Sequence, residues 1–153
     1  MVDVVEEVTL DGGVLVGHDG SDASSEAVSW SADLAVRLDC PLHVLRAWGI
    51  TTAPRPATQE VGYVAPLSDY EAAVLEQLGR DVDALALPGD VRLHVVHGRS
   101  SKELLHAARG AELLVVGRRG EGGFRGLGFG STADQVVRHA PCPVVVVPVR
   151  PPR

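Results

Sequence analysis

Two cysteines, one lysine and 4% aromatic side chains in 153 residues mark what this sequence has little of. Cys40 and Cys142 are too few and too far apart for a zinc site or a disulfide framework. Each is followed by proline just ahead of an apolar run, which suggests a small buried residue at a strand entrance. With Lys102 the sole lysine, no G-x-x-x-x-G-K-[ST] segment exists, and a P-loop NTPase is excluded. No apolar run approaches the roughly 18 residues of a spanning helix. The N-terminal MVDVVEEVTLDGG carries acids where a secretory signal carries bases, so the expected location is the cytoplasm. Basic charge is short as well. Twenty Asp and Glu stand against 14 Lys and Arg, a net charge of −6, which argues against a general binder of nucleic acid or anionic membranes. At 45% hydrophobic and 22% charged, the chain reads as one soluble globular domain.

Within it, short apolar runs recur with helical stretches between them: 14–16, 42–45, 91–96, 113–116 and 144–147. Continuous runs rich in valine and leucine suit parallel strands buried on both faces. Between them the period lengthens, with Ala27, Trp30, Leu34 and Leu38 on one helical face and Leu75, Leu78, Val82 and Leu85 on another. Ser68 to Glu71 and Ser100 to Glu103 fit the capping-box pattern; Ser21 or Asp22 is placed to cap the first helix, and Ser131 or Thr132 the last. The β-α-β-α-β-α-β-α-β order predicts a doubly wound α/β sheet. Residues 1–13 read as a tail or an added edge, 14–149 as the domain, and 150–153 as a C-terminal tail. Residues 49–67, with three prolines and no period, are either a lid or an unstructured loop.

Glycine is abundant instead. Seven of the 17 glycines fall between Gly117 and Gly130, from the end of the fourth strand to the start of the fourth helix. Open α/β sheets bind ligands at the C-terminal ends of their strands. A helix start there offers free N–H groups and a positive dipole end to phosphate, and glycine lets the backbone come close. Arg118, Arg119, Arg125 and Arg138 outnumber Glu121 and Asp134, a locally basic patch on an acidic protein. Gly128 to Ala133 matches G-x-G-x-x-A formally. It does not close a first βα turn and no ribose-binding acid follows, so a Rossmann dehydrogenase is rejected.

The spacing Gly117-x2-Gly120-x9-Gly130-Ser131 resembles the G-2x-G-9x-G-(S/T) motif of the universal stress protein family, in its ATP-binding branch. Val16-Gly17-His18-Asp19-Gly20-Ser21 resembles that family's first strand and turn, and His139 to Val147 its closing segment. The likeness covers about residues 13–149. It implies a five-stranded parallel sheet in the order 3-2-1-4-5, adenine-nucleotide α-hydrolase-like, with ATP bound where the winding reverses. Gly17 belongs to the first of these motifs. Asp19 would lie by the adenine or ribose, and the backbone of Ala47 would face the adenine edge. Gly117 and Gly120 would line the ribose and phosphate path, and Gly130, Ser131 and Thr132 would hold the phosphates. Arg118 and Arg119 flank the motif, either reaching phosphate or solvated. His18 departs from the small residue common in the family, so its ring is expected to crowd or contact the ligand. The resemblance also implies a homodimer paired through the last strand, Val144 to Val149, whose apolar edge would otherwise stand open.

Hydrolysis needs a positioned base or a metal clamp. Asp19 has two roles open to it, a ligand for Mg²⁺ or a contact to the nucleoside. The six histidines show no ligand spacing; His43, His106 and His139 read as surface or packing residues. No G-x-S-x-G elbow is present, nor the H-x-G-H or S-G-G-x-D-S segments of nucleotidyl transferases. These absences favour a nucleotide-dependent stress or regulatory protein over the competing class, a slow ATPase or other nucleotide-processing enzyme.

Overall fold

The computed structural model describes residues 4–119 and 129–148. Strands and helices alternate: β1 (Val14–Gly17), α1 (Asp22–Arg37), β2 (Leu42–Trp48), α2 (Leu67–Asp83), β3 (Val91–His97), α3 (Ser100–Ala107), β4 (Leu113–Gly117), α4 (Ser131–His139) and β5 (Val144–Val147). All neighbouring strands pair parallel in the order β3-β2-β1-β4-β5. This is the doubly wound sheet expected above. Right-handed crossovers explain the layering. Stepping outward from β1 to β3 puts α1 and α2 on one face; returning to β4 puts α3 and α4 on the other.

Side chains alternate between the two faces. Val14, Val16, Val44 and Trp48 meet α1 and α2, through residues such as Ala27, Val28, Val74 and Leu78. Leu15, Leu45, Val96 and Leu114 meet Leu104, Ala107, Ala133 and Val136 of α3 and α4.

The helix faces differ from their expected rows. In α1, Ala27 is buried with Ser24, Val28, Ser31, Ala32 and Ala35, while Trp30 and Leu38 are exposed. Small residues let the helix backbone lie close to the sheet. Ser31 joins them because its hydroxyl donates to the Ala27 carbonyl at 2.7 Å. In α2, Leu75 is exposed and the inward row is Tyr70, Glu71, Val74, Leu78 and Val82; Leu85 lies past the helix end.

Of the caps, Ser21 performs as expected and accepts from the Ser24 amide. Pro66, whose ring fixes φ, caps α2 two residues ahead of the expected Ser68. Glu71 therefore turns inward, accepting from Trp48 Nε1 at 3.3 Å and the Val5 amide at 2.7 Å. Ser100 is the first residue of α3 rather than its cap, and Glu103 packs against Gly98 in the interior. The cap of α4 is Gly130, so neither Ser131 nor Thr132 fills that position. The cysteines stand just before β2 and β5, each half-buried rather than buried, because the strand entrances lie at the rim of the sheet. Burial still pushes both thiols up.

Ahead of β1, Val8 and Leu10 are buried, and the Val5 carbonyl accepts from the His97 amide at 2.8 Å, along the free edge of β3. In the irregular stretch 49–66, Gln59 donates to the Tyr63 carbonyl and accepts from the Ala65 amide and Tyr70 hydroxyl. No described helix is long and apolar enough to cross a membrane.

Candidate functional site

The sheet's winding reverses between β1 and β4, and their short lengths open a gap at the C-terminal edge. β1 ends at Gly17, opposite Leu45, whereas β2 runs on through Arg46, Ala47 and Trp48. The His18 amide donates to the Leu45 carbonyl at 3.0 Å, so Leu45 turns its peptide groups toward β1. The Trp48 carbonyl accepts from Gly98 on the other side. By strand parity Ala47 turns its N–H and C=O the same way as Leu45, into the space that β1 no longer fills.

This gap is the mouth of a cavity of about 740 Å³, within the roughly 300–1,000 Å³ of small-molecule sites. Eight of the residues singled out in the sequence line it: Gly17, Asp19, Ala47, Gly117, Arg119, Gly130, Ser131 and Thr132. Arg118 does not; it is exposed, its amide donating to Val147 and its carbonyl accepting from Gly130. Gly120, with the rest of 120–128, lies outside the described residues.

Each wall has a physical basis. A Cβ on Gly17 would stand 2.9 Å from Leu104 Cδ1, so any side chain there would push the Leu104 tip of α3 aside. A Cβ on Gly117 would meet nothing nearer than 3.5 Å, so nothing within the described chain excludes a side chain at that position. Helix α4 begins without a side-chain cap, leaving its first-turn N–H groups for a ligand or water. Ser131 is exposed and Thr132 half-buried beside them. Arg119 Nε is buried and has no hydrogen-bond partner. An orphaned guanidinium N–H costs free energy unless an acceptor arrives. A helix start, two hydroxyls and an unpaired arginine suit a phosphate group.

On the opposite wall, Asp19 Oδ1 accepts from the Ser21 amide at 2.9 Å, which fixes the carboxylate at the turn. His18 is buried, its Nδ1 accepting from the Gly20 amide, which leaves Nε2 to donate to Ser25 Oγ at 3.2 Å. Burial holds its pKa below the usual value, with Arg46 adding to that while Asp81 and Asp19 oppose it. The ring lines the cavity as a neutral group anchored to the protein.

Arg46, Thr51, Thr52 and Ser100 also line the cavity and were missed in the sequence. Arg46 had a signal, a lone charge inside an otherwise apolar LHVLRAW strand. The charge itself ends the apolar run at Leu45, although the strand continues through Trp48.

A family model described as the universal stress protein family matches residues 13–148. A universal stress protein of Mycolicibacterium smegmatis is 36% identical over 143 residues, covering 88% of this chain and 45% of that protein. The chain thus spans about half the length of the curated relatives it matches. Among solved structures, a universal stress protein in complex with cAMP is 25% identical, with TM-score 0.62, covering 92% of this chain and 98% of that one. One from Archaeoglobus fulgidus in complex with dAMP is 20% identical, with TM-score 0.56, covering 91% and 99%, a likeness of fold alone.

Proposed function

The chain belongs to the universal stress protein family, and from that premise we propose that it binds ATP in the cavity at the reversal point and acts as a nucleotide-dependent regulatory protein in stress responses. The observation that carries this reading is the cavity's two unlike ends. One end presents the free peptide groups of Ala47, a donor and acceptor pair matching the edge of adenine. The other presents the uncapped start of α4 and the unpaired Arg119, matching phosphate. Asp19, held at the turn between β1 and α1 by the Ser21 amide, would lie by the adenine or ribose. Gly117 and Gly130 would let the main chain approach the phosphates, and the family motif gives Gly120, outside the described residues, the same role. Mg²⁺ would travel with the phosphates and keep several of its waters, as this ion usually does. The cAMP complex of a similar protein supports an adenine ligand.

The test is direct. Acid extraction of the purified protein, with identification of any released nucleotide, is followed by thermal melting with ATP and Mg²⁺. Saturation at about 100 times Kd should add about 2.7 kcal/mol of stability. No extracted nucleotide and no shift at millimolar ATP would overturn the reading. Many turnovers of ADP release would replace regulation with catalysis. Gly130 has φ −65 and ψ 166, a conformation open to any residue, so Gly130→Val should keep the fold and abolish binding.

The family reading also carries a homodimer through β5. Arg118 donates to the Val147 carbonyl and Leu114 to that of Pro143, so odd positions of β5 face β4. Val144 and Val146 turn their peptide groups outward, an open edge suited to a second copy.

A further inference from the structure

Arg46 is the most deeply buried cation among the described residues lining the cavity, 7% exposed. Its side chain has one hydrogen bond, from Nη1 to Gln77 Oε1 at 3.1 Å, and it takes part in none of the ion pairs among the described residues. A guanidinium carries five N–H donors. One amide oxygen is the single hydrogen-bond acceptor it has among the described residues, and no described carboxylate closes to ion-pair distance, although Asp81 and Asp19 lie near enough to act on the neighbouring His18. Gln77 holds one edge from α2, and the β1–α1 turn covers the group, with Nη2 3.5 Å from where a Cβ on Gly20 would stand. The residue also lines the cavity.

Position decides which part of a ligand lies there. Arg46 precedes Ala47 on the overhang of β2, and its side chain leaves the sheet on the α1 and α2 face. The phosphate-suited groups belong to the ends of β4 and the start of α4. In the strand order β2-β1-β4, those ends are two strand spacings away, about 9–10 Å. We propose that Arg46 recognises the nucleoside half of the ligand, its planar guanidinium lying against the purine and donating to a ring nitrogen acceptor. This rests on the nucleotide reading above. Adenine supplies what the group lacks, a flat π-face for a cation and acceptor nitrogens for its N–H edge. Neutral His18 beside it adds no competing positive charge, and its ring nitrogens are already taken by Gly20 and Ser25.

The experiment is calorimetric titration of the full chain with ATP, adenosine and inorganic tripolyphosphate. It uses the wild type, Arg46→Met and Arg119→Met, with melting curves for each. Arg46→Met should weaken adenosine and ATP at least tenfold and leave tripolyphosphate within twofold. Arg119→Met should do the reverse, weakening ATP and tripolyphosphate but not adenosine. With its unpaired charge gone, ligand-free Arg46→Met should melt no lower than the wild type. If it melts early, Arg46→Lys, which keeps the charge and loses the planar fork, carries the same expectation. Unchanged adenosine binding in the Arg46 variants overturns the assignment, as does equal loss of adenosine and tripolyphosphate. A wild type that binds neither adenosine nor ATP overturns the nucleotide reading itself, and Arg46 with it.

Discussion

His43 and His94 meet across the β2–β3 ladder, with His43 Nδ1 2.9 Å from His94 Nε2 and the rings 5.0 Å apart. One proton serves that contact; a second would set N–H against N–H. His43 was read as a surface or packing residue. It is buried because odd positions of β2 face the core under α3, and its Nε2 has no partner. Burial pushes both histidines down, and Arg92 adds to the effect, while Asp90 opposes it at His43. An unfolded histidine takes its proton near pH 6.5. These stay neutral in the fold below that, so protons favour the unfolded chain. Stability should be complete above about pH 6.5 and fall as the pH drops further, by at most about 1.4 kcal/mol per pH unit for each group. Urea midpoints at pH 7.5 and 5.5 measure this, and His43→Gln with His94→Gln should shrink the difference. No sequence pattern betrays the pair. The two residues are 51 positions apart, and only the parallel register, with Leu45 opposite His94, makes them neighbours.

At the level of elements, the strands were legible and the helix faces less so. Runs such as 113–116 can satisfy a buried parallel ladder and little else. In α1 the inward face is small rather than hydrophobic, with Ser24 and Ser31 inside and Trp30 outside, so reading the largest apolar residues picked the wrong row. In α2 the apparent capping glutamate became an interior anchor. Glu71 joins α2 to Trp48 of β2 and to the segment ahead of β1. Glu71→Ala should therefore cost about 1–3 kcal/mol, since the buried Trp48 indole loses its acceptor along with the part-buried Val5 amide. Glu71→Gln, which keeps one carbonyl, should cost less. Chemical unfolding of both variants checks the order. A lost Val5 contact should also speed amide exchange at His97, whose N–H bonds to the Val5 carbonyl.

The molecule as a whole is one sheet with a ligand-sized notch at its reversal point and, at β5, an outer strand edge with no partner among the described residues. The notch was legible because glycine spacing and strand order both point to it, and eight of the nine expected residues that are described line it. Arg46 and His18's anchoring were not, since they depend on which face a strand residue takes. The free edge yields a prediction for assembly. Val146→Pro removes an N–H that points away from β4, where an edge strand accepts proline. Light scattering should show a dimer for the wild type and a monomer for Val146→Pro, with similar melting of the monomer unit. A wild-type monomer at all concentrations would reject pairing through β5.

The overhang of β2 past the end of β1 has a consequence for mutational drift. In the proposed reading, the groups Ala47 would offer to a base are main-chain N–H and C=O, present whatever amino acid is encoded there. Selection on base recognition at that point is therefore blind to side-chain identity and sensitive to strand length. A library randomising position 47 should retain most small residues, whereas deleting one residue between Leu45 and Trp48 should be lethal to binding. The information that fixes this contact is stored in the register of the sheet, spread across β1 and β2, and in no single codon.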